Sequence, residues 1–248
     1  MGKQKVVLAF SGGLDTSFCV KYLSEDKGYD VYTAIANTGG FSKEELANIE
    51  KRALALGAVK HATLDIEQEY YEKSIKYMIY GDILRNGTYP ISVSSERIFQ
   101  AIAIIEYAKS VGADCVAHGS TGAGNDQVRF EFAAKALAPD LKVIAPWREW
   151  DLMSRTALNA FAEKHGIPIS KEAKRYSMDA NMMHTSFEGS ELEDPGNAPH
   201  ESCHERCVPV EQAPNEPEII EVSFEHGNPV AVNGEKMSPY TIIKTLAE

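Results

Sequence analysis

Between residues 5 and 168, short apolar runs rich in β-branched residues alternate with longer segments of helical period. Few folds accept that alternation. Runs of three to eight such residues bounded by turn formers read as buried strands, and helices between them place the strands parallel in one sheet. The runs are VVLAF at 6–10, VYTAIA at 31–36, KHATLD at 60–65, CVAH at 115–118 and VIA at 143–145. One crossover is legible in detail. Leu46, Ile49, Ala53 and Leu56 recur at helical spacing over 43–56, Ser42 and Glu45 form a capping-box pair ahead of them, and Gly57 follows. The expected architecture is α/β: a parallel twisted sheet with helices on both faces, forming one domain over residues 1–168.

After Lys171 the texture changes. Residues 171–217 are rich in Pro, Glu, Asn and Gly without a sustained apolar period, and are expected to be a long connection. IIEVSFEHGNPVAVNG at 219–234 reads as two alternating strands turning at 226–229. A helix should then begin at Ser238, with Pro239 in its first position. Residues 169–248 are therefore expected to form the start of a second, α+β domain. The chain ends inside that helix, so the domain is expected to be incomplete and the chain a piece of something longer.

The first strand runs into SGGLDTS at 11–17 and then a helix. Gly12 and Gly13 permit a tight turn that leaves helix N-terminal N–H groups facing an anion, and Ser11, Thr16 and Ser17 add hydroxyls. An ordinary strand-to-helix turn would use the same glycines. No GxxxxGK[ST] sequence supplies a lysine for the β and γ phosphates, and no GxGxxG occurs, so P-loop and dinucleotide readings fail. SGGLDTS resembles instead the pyrophosphate loop of enzymes that cleave ATP to AMP and pyrophosphate.

A second segment, HGSTGAGNDQVRFE at 118–131, packs glycines beside Thr121, Asn125, Asp126, Gln127 and Arg129 after a short strand. That density of directional hydrogen-bonding groups exceeds what core packing calls for, and a polar loop at a strand end is the alternative reading. Taken with GTYPISVSSER at 87–97, VIAPWREWDL at 143–152, YSMDANMMHTSFEG at 176–189, LEDP at 192–195 and VAVNG at 230–234, the chain resembles the argininosuccinate synthase family along nearly its whole length.

The resemblance implies an adenine-nucleotide α-hydrolase-like fold and a ligase reaction. In it the ureido oxygen of citrulline attacks the α phosphate of ATP, forming citrullyl-adenylate, and the amine of aspartate then displaces AMP. Adenylation is needed because a ureido carbon, fed electrons by two nitrogens, is a poor electrophile. By motif, Ala9, Phe10, Ser11, Gly12, Gly13, Leu14, Asp15, Thr16 and Ser17 would line the ATP phosphates, with Ala36 and Gly119 nearby and Asp15 close to Mg²⁺. Thr121, Asn125 and Asp126 would hold aspartate. Tyr89, Ser94, Asn125, Arg129, Ser177 and Ser186 would hold citrulline, the fork of Arg129 suiting a carboxylate. Asp15, Asp126 and Arg129 are the expected catalytic groups. Asp15 also reads as a first-turn acid that favours the helix dipole, and Arg129 as a surface ion pair with Asp126 or Glu131. Residues 95–100, SERIFQ, stand where many relatives have a more apolar run, and Thr185 where arginine is frequent. The family continues past this length with a glutamate and a tyrosine for citrulline and a helical tail for tetramer assembly, so a homo-oligomer is expected, weakened in this chain.

A formal net charge of −11 argues against a nucleic-acid partner, and no apolar run approaches a membrane span or a signal peptide, so a cytoplasmic small-molecule enzyme is expected. A tRNA thiolation enzyme with the same loop would need a basic face and a reactive cysteine, whereas Cys115 sits in an apolar strand. A non-catalytic nucleotide-binding module remains the other alternative. His200, Cys203, His204 and Cys207 would share one face of a helix with ligand types suited to zinc, but Pro199 and Pro209 flank them and no metal is expected there. Trp147 and Trp150 read as packing anchors at a sheet edge.

Overall fold

The computed structural model describes residues 2–120, 122, 124–150, 155–168, 176–204 and 206–247. Two compact units emerge, residues 1–66 with 94–172, and residues 67–93 with 173–248.

In the first unit, strands β1 (Lys5–Ala9), β2 (Asp30–Asn37), β3 (Lys60–Asp65), β4 (Cys115–Ala117) and β5 (Lys142–Ile144) form a parallel sheet in the order β3-β2-β1-β4-β5. Each expected strand is present, shifted by at most one residue at either end. Alternation along β1 sends Val6 and Leu8 to one face and Val7 to the other. The first face buries Phe18, Cys19 and Leu23 of the α1 segment, Ala53 of α2 and Ala162 of α5. The second buries Ala101, Ile104 and Ile105 of α3 with Ala133 and Ala134 of α4. These helices span Leu14–Lys21 (α1), Lys43–Ala55 (α2), Ser92–Ser110 (α3), Asp126–Leu137 (α4) and Arg155–Lys164 (α5). Helices therefore cover both faces, and each fully buried aliphatic or aromatic side chain contributes about 1.5–3 kcal/mol.

The capping box at the start of α2 is formed. The Glu45 N–H donates to Ser42 Oγ at 3.2 Å, and the Ser42 N–H donates to Glu45 Oε2 at 2.8 Å. Trp150 is buried, and its ring meets those of Trp147 at 4.8 Å and Tyr22 at 4.9 Å, both edge-on. Cys115 and Cys19 are buried, and desolvation pushes both thiols up from their ordinary range.

Among its described residues the second unit holds a helical stretch over 67–80, a short antiparallel pair of Leu84–Arg85 with Tyr89–Pro90, two longer antiparallel hairpins, the second extended by Glu235–Lys236, and a helix after them. Strands β6 (Ser177–Ala180) and β7 (Thr185–Glu188) form the first hairpin. It lies within the stretch expected to be a connection, where each strand is only four residues long, too short for its alternation to stand out among polar neighbours. Further on are three single turns at Ser190–Glu193, Glu201–Cys203 and Val210–Gln212. Residues 171–175 of that stretch lie outside the described residues.

Strands β8 (Val222–Glu225) and β9 (Asn228–Val232) form the second hairpin. It turns at His226 and Gly227, both with positive φ (50° and 81°), the pair of left-handed residues a two-residue hairpin turn requires. Helix α6 (Pro239–Ala247) follows, and Ser238 caps it by accepting the Thr241 N–H at 3.1 Å.

Residues 67–93, which lie inside the expected 1–168 domain, group compactly with residues 173–248. Glu67 accepts from Tyr240 and from Lys244, the latter at 2.9 Å. At the other end of the segment, Ser92 Oγ lies 2.6 Å from His184 Nδ1 and accepts from Asn181 at 3.2 Å. Such long-range polar contacts leave no periodic trace in a sequence.

Candidate functional site

The sheet order reverses between β1 and β4, since the chain winds outward through β2 and β3 and then crosses to the other side of β1. In open parallel sheets, ligands bind outside the carboxyl ends of the strands at such a point. SGGLDTS leaves β1 there and the 118–131 segment leaves β4 there. The two motifs singled out in the sequence leave neighbouring strands side by side at this point.

Gly12 makes the turn after β1 with φ of 77°, and a Cβ there would lie 2.8 Å from Ile49 Cγ1 of α2. Conformation and space both require glycine. Gly13 then caps α1 without a side-chain bond, and the first helical N–H groups face outward. The hydroxyls of Thr16 and Ser17 donate to the Gly13 carbonyl at 3.2 and 2.7 Å, and Ser17 Oγ accepts from Arg52 Nε at 3.2 Å. Ser17 is fully buried, so it shapes the loop from beneath instead of presenting its hydroxyl to an anion. Ser11 and Leu14 are exposed, while Phe10 and Ala36 are buried. Ala9 pairs with Ala34, which places Ala36 two residues further along the carboxyl end of β2.

Asp15 lies in the first turn of α1. Desolvation by the surrounding chain pushes its carboxyl up, although the side chain retains access to solvent. A lone, hard oxygen donor beside a phosphate site fits Mg²⁺, which is commonly held by one or two carboxylates together with substrate phosphates and water.

Gly119 brings the second motif against the first. A Cβ on it would fall 2.8 Å from Thr16 Cγ2. His118, which the sequence reading gave no role, is 2% exposed and takes the Ser120 N–H on Nδ1 at 3.3 Å. Its Nε2 therefore carries the proton. That N–H faces Glu131 Oε1 at 4.0 Å, and among the described residues it has no hydrogen-bond partner. Burial, reinforced by the Arg148 guanidinium, pushes the imidazole down to about 4. It is neutral at physiological pH.

Asn125 precedes α4 and is exposed. Asp126 and Arg129 follow in the first turn, where Arg129 NH1 donates to Asp126 Oδ1 at 2.7 Å and NH2 donates to Ser94 Oγ at 3.2 Å. The ion pair weighed for Arg129 is thus present with Asp126, while Glu131 pairs with Arg148. Ser94, Asp126 and Arg129 are in direct contact. Thr121 lies outside the described residues.

In the second unit, Ser177 and Ser186 fall on one face of the β6–β7 hairpin, because Ser186 is the register partner of Asp179, two residues beyond Ser177. Tyr89 is partly exposed, and its ring meets His184 edge-on at 5.3 Å. The cysteine–histidine group takes no helical face: Glu201–Cys203 is a single tight turn, and only His204 Nδ1 and Cys207 Sγ approach, at 3.5 Å. Among the described residues no three His, Cys, Asp or Glu side chains are grouped to hold a metal, and no helix is long and apolar enough to cross a membrane.

The fold and the two loops at its reversal point define an α/β protein of the doubly wound class, with a glycine-rich turn opening the helix after the central strand. Residues 5–168 match the family model described as the arginosuccinate synthase N-terminal HUP domain, and residues 176–248 match the arginosuccinate synthase C-terminal domain. The chain belongs to the argininosuccinate synthase family. It is 52% identical over 245 residues to the argininosuccinate synthase of Nitratidesulfovibrio vulgaris, and 45% identical over 246 residues to that of Pyrobaculum aerophilum. Each alignment covers 99% of this chain and 61% of the relative, so the chain spans about three fifths of the length of these relatives.

Proposed function

We propose that this chain forms the ATP-binding and acceptor-binding part of a ligase that joins citrulline to aspartate, releasing AMP and pyrophosphate through a citrullyl-adenylate. The observation that carries the proposal is the packing of Gly119 on Thr16, which holds the 118–131 segment against the phosphate loop. Pyrophosphate would sit on the N–H groups that open α1, with Ala9, Phe10, Ser11, Gly12, Gly13, Leu14, Thr16 and Ser17 building the cradle and Ala36 and Gly119 beside the nucleotide. Mg²⁺, held at Asp15, would offset phosphate charge as pyrophosphate leaves. Asn125 and Asp126, with Thr121, are assigned to aspartate, and Tyr89, Ser94, Asn125, Arg129, Ser177 and Ser186 to citrulline.

Catalysis in this reading is alignment and electrostatics. Arg129 orients a carboxylate through its fork, and Asp126 receives an ammonium. Both side chains already hold complementary charges in each other, so substrate zwitterions would exchange one set of ion pairs for another. The charge of −11 supports a protein without a nucleic-acid partner, and a cytoplasmic homo-oligomer completes the proposal. The tRNA thiolation alternative finds no support in Cys19 or Cys115, both buried with thiols pushed up.

Pyrophosphate release from Mg·ATP, measured with citrulline and then with aspartate added, tests the reading. Release that depends on citrulline supports it. Equilibrium ATP binding without any citrulline-dependent release would favour a nucleotide-binding module without turnover.

A further inference from the structure

Glu96 of α3 is 2% exposed, and a buried carboxylate persists only where charge and hydrogen bonds compensate it. Thr38, just past β2, donates its hydroxyl to Glu96 Oε1 at 2.6 Å, and Gln100 Nε2 donates to the same oxygen at 2.9 Å. Arg97 NH1 stands 3.7 Å from that oxygen and donates to Gln100 Oε1 at 3.0 Å. From its other edge, Arg97 Nε donates to Asp126 Oδ2 at 3.2 Å, while Arg129 occupies Asp126 Oδ1. Charges therefore alternate in space as Glu96, Arg97, Asp126, Arg129. Were Glu96 neutral, the Arg97 charge would be shared by one carboxylate fewer, and more of it would fall on Asp126.

We propose that Glu96 is a positioning residue: by dividing the Arg97 guanidinium between two carboxylates, it leaves Asp126 enough unshared negative charge to bind the ammonium of an amino-acid acceptor. The proposal rests on the assignment of Asp126 to that ammonium. Its anchor is rigid, since Thr38 follows directly on the end of β2 and is itself fully buried. The Glu96–Gln100 spacing of four residues also keeps both polar groups on one side of α3.

The test uses Glu96→Gln, whose amide oxygen can still accept from Thr38 and Gln100 while the charge is lost. L-Aspartate and succinate, which lacks the ammonium, are titrated calorimetrically into the whole chain saturated with a non-hydrolysable ATP analogue. The expected result is about a tenfold rise in the aspartate Kd, with the succinate and nucleotide values unchanged within about twofold. Equal losses for aspartate and succinate, or no loss for either, would overturn the proposal, because a purely structural role does not distinguish the two ligands. Asp126→Asn separates the proposal from the reading beneath it: aspartate binding undiminished in that variant rejects the assignment of Asp126. If the parent chain takes up no aspartate, the substrate reading fails, and the positioning role is decided by Arg97 alone. Its Nε–H, followed by nitrogen–proton correlation, should exchange about tenfold faster in Glu96→Gln, and unchanged exchange rejects the role.

Discussion

The α-carbon of Gly119 packs so closely on Thr16 that a single added methyl would stand 2.8 Å from Thr16 Cγ2. Thr16 belongs to the first turn of α1, so this contact transmits any change at 119 directly to the N–H groups that open the helix, where the proposed function places the phosphates. Gly119→Ala is expected to leave the sheet intact and weaken ATP-analogue binding by about 1–3 kcal/mol, the usual cost of overpacking. Titration of the nucleotide into the variant checks this, and a Kd equal to the parent's would contradict it.

Gly12 combines two constraints that a double variant can separate. Gly12→Ala places a Cβ 2.8 Å from Ile49 Cγ1 and also forces a left-handed conformation on alanine. The variant should unfold at lower urea, with a loss of about 2–4 kcal/mol from strain and clash together. Adding Ile49→Ala should recover the clash but not the conformational part, after allowing for the cavity measured in Ile49→Ala alone. Simple additivity of the two single variants would show that no clash exists.

Much of this was legible beforehand, for identifiable reasons. Strand positions followed from apolar runs, and the α2 start from the Ser42–Glu45 spacing, because both are local properties of the chain. The tight turn of SGGLDTS was legible because Gly12 meets a conformational demand that the sequence displays. The β6–β7 hairpin was not, since its strands are four residues each and the intervening residues 181–184 carry no glycine turn signal. Nor could any local pattern show that Ser17 turns its hydroxyl back to Gly13, or that Thr38 and Glu96 meet across 58 positions. His118 stood inside a recognised motif, yet its burial depends on Phe130 and Ile144, whose placement only the fold decides.

The Ser42 cap is an exposed, local interaction away from the reversal point of the sheet. Ser42→Ala removes the acceptor for the Glu45 N–H and should cost about 1 kcal/mol of stability. Urea denaturation with an unchanged slope is the measurement; a midpoint identical to the parent's would mean that solvent replaces the cap fully.

His118 gives stability a pH dependence of defined sign. Its folded-state value of about 4 lies below the ordinary value of 6.5, so the unfolded chain protonates first as pH falls. The stabilisation of the neutral folded form is complete above about pH 6.5 and is lost progressively towards pH 4, amounting to about 2 kcal/mol by pH 5. Parent and His118→Gln proteins compared by urea denaturation at pH 7 and pH 5 isolate this contribution from that of the carboxylates. The parent should lose about 2 kcal/mol more than the variant between the two conditions. Parallel losses would show that the imidazole titrates normally.

The two serines of the β6–β7 hairpin share a face because Ser177 and the residue opposite Ser186 are separated by an even step. Side-chain direction in a strand is a parity, and adding or removing one residue between them would turn one hydroxyl to the far side. Length variation here is thus quantised. Between Ser177 and Asp179 the strand tolerates steps of two and rejects steps of one, so parity acts as a reading frame at the level of folded structure.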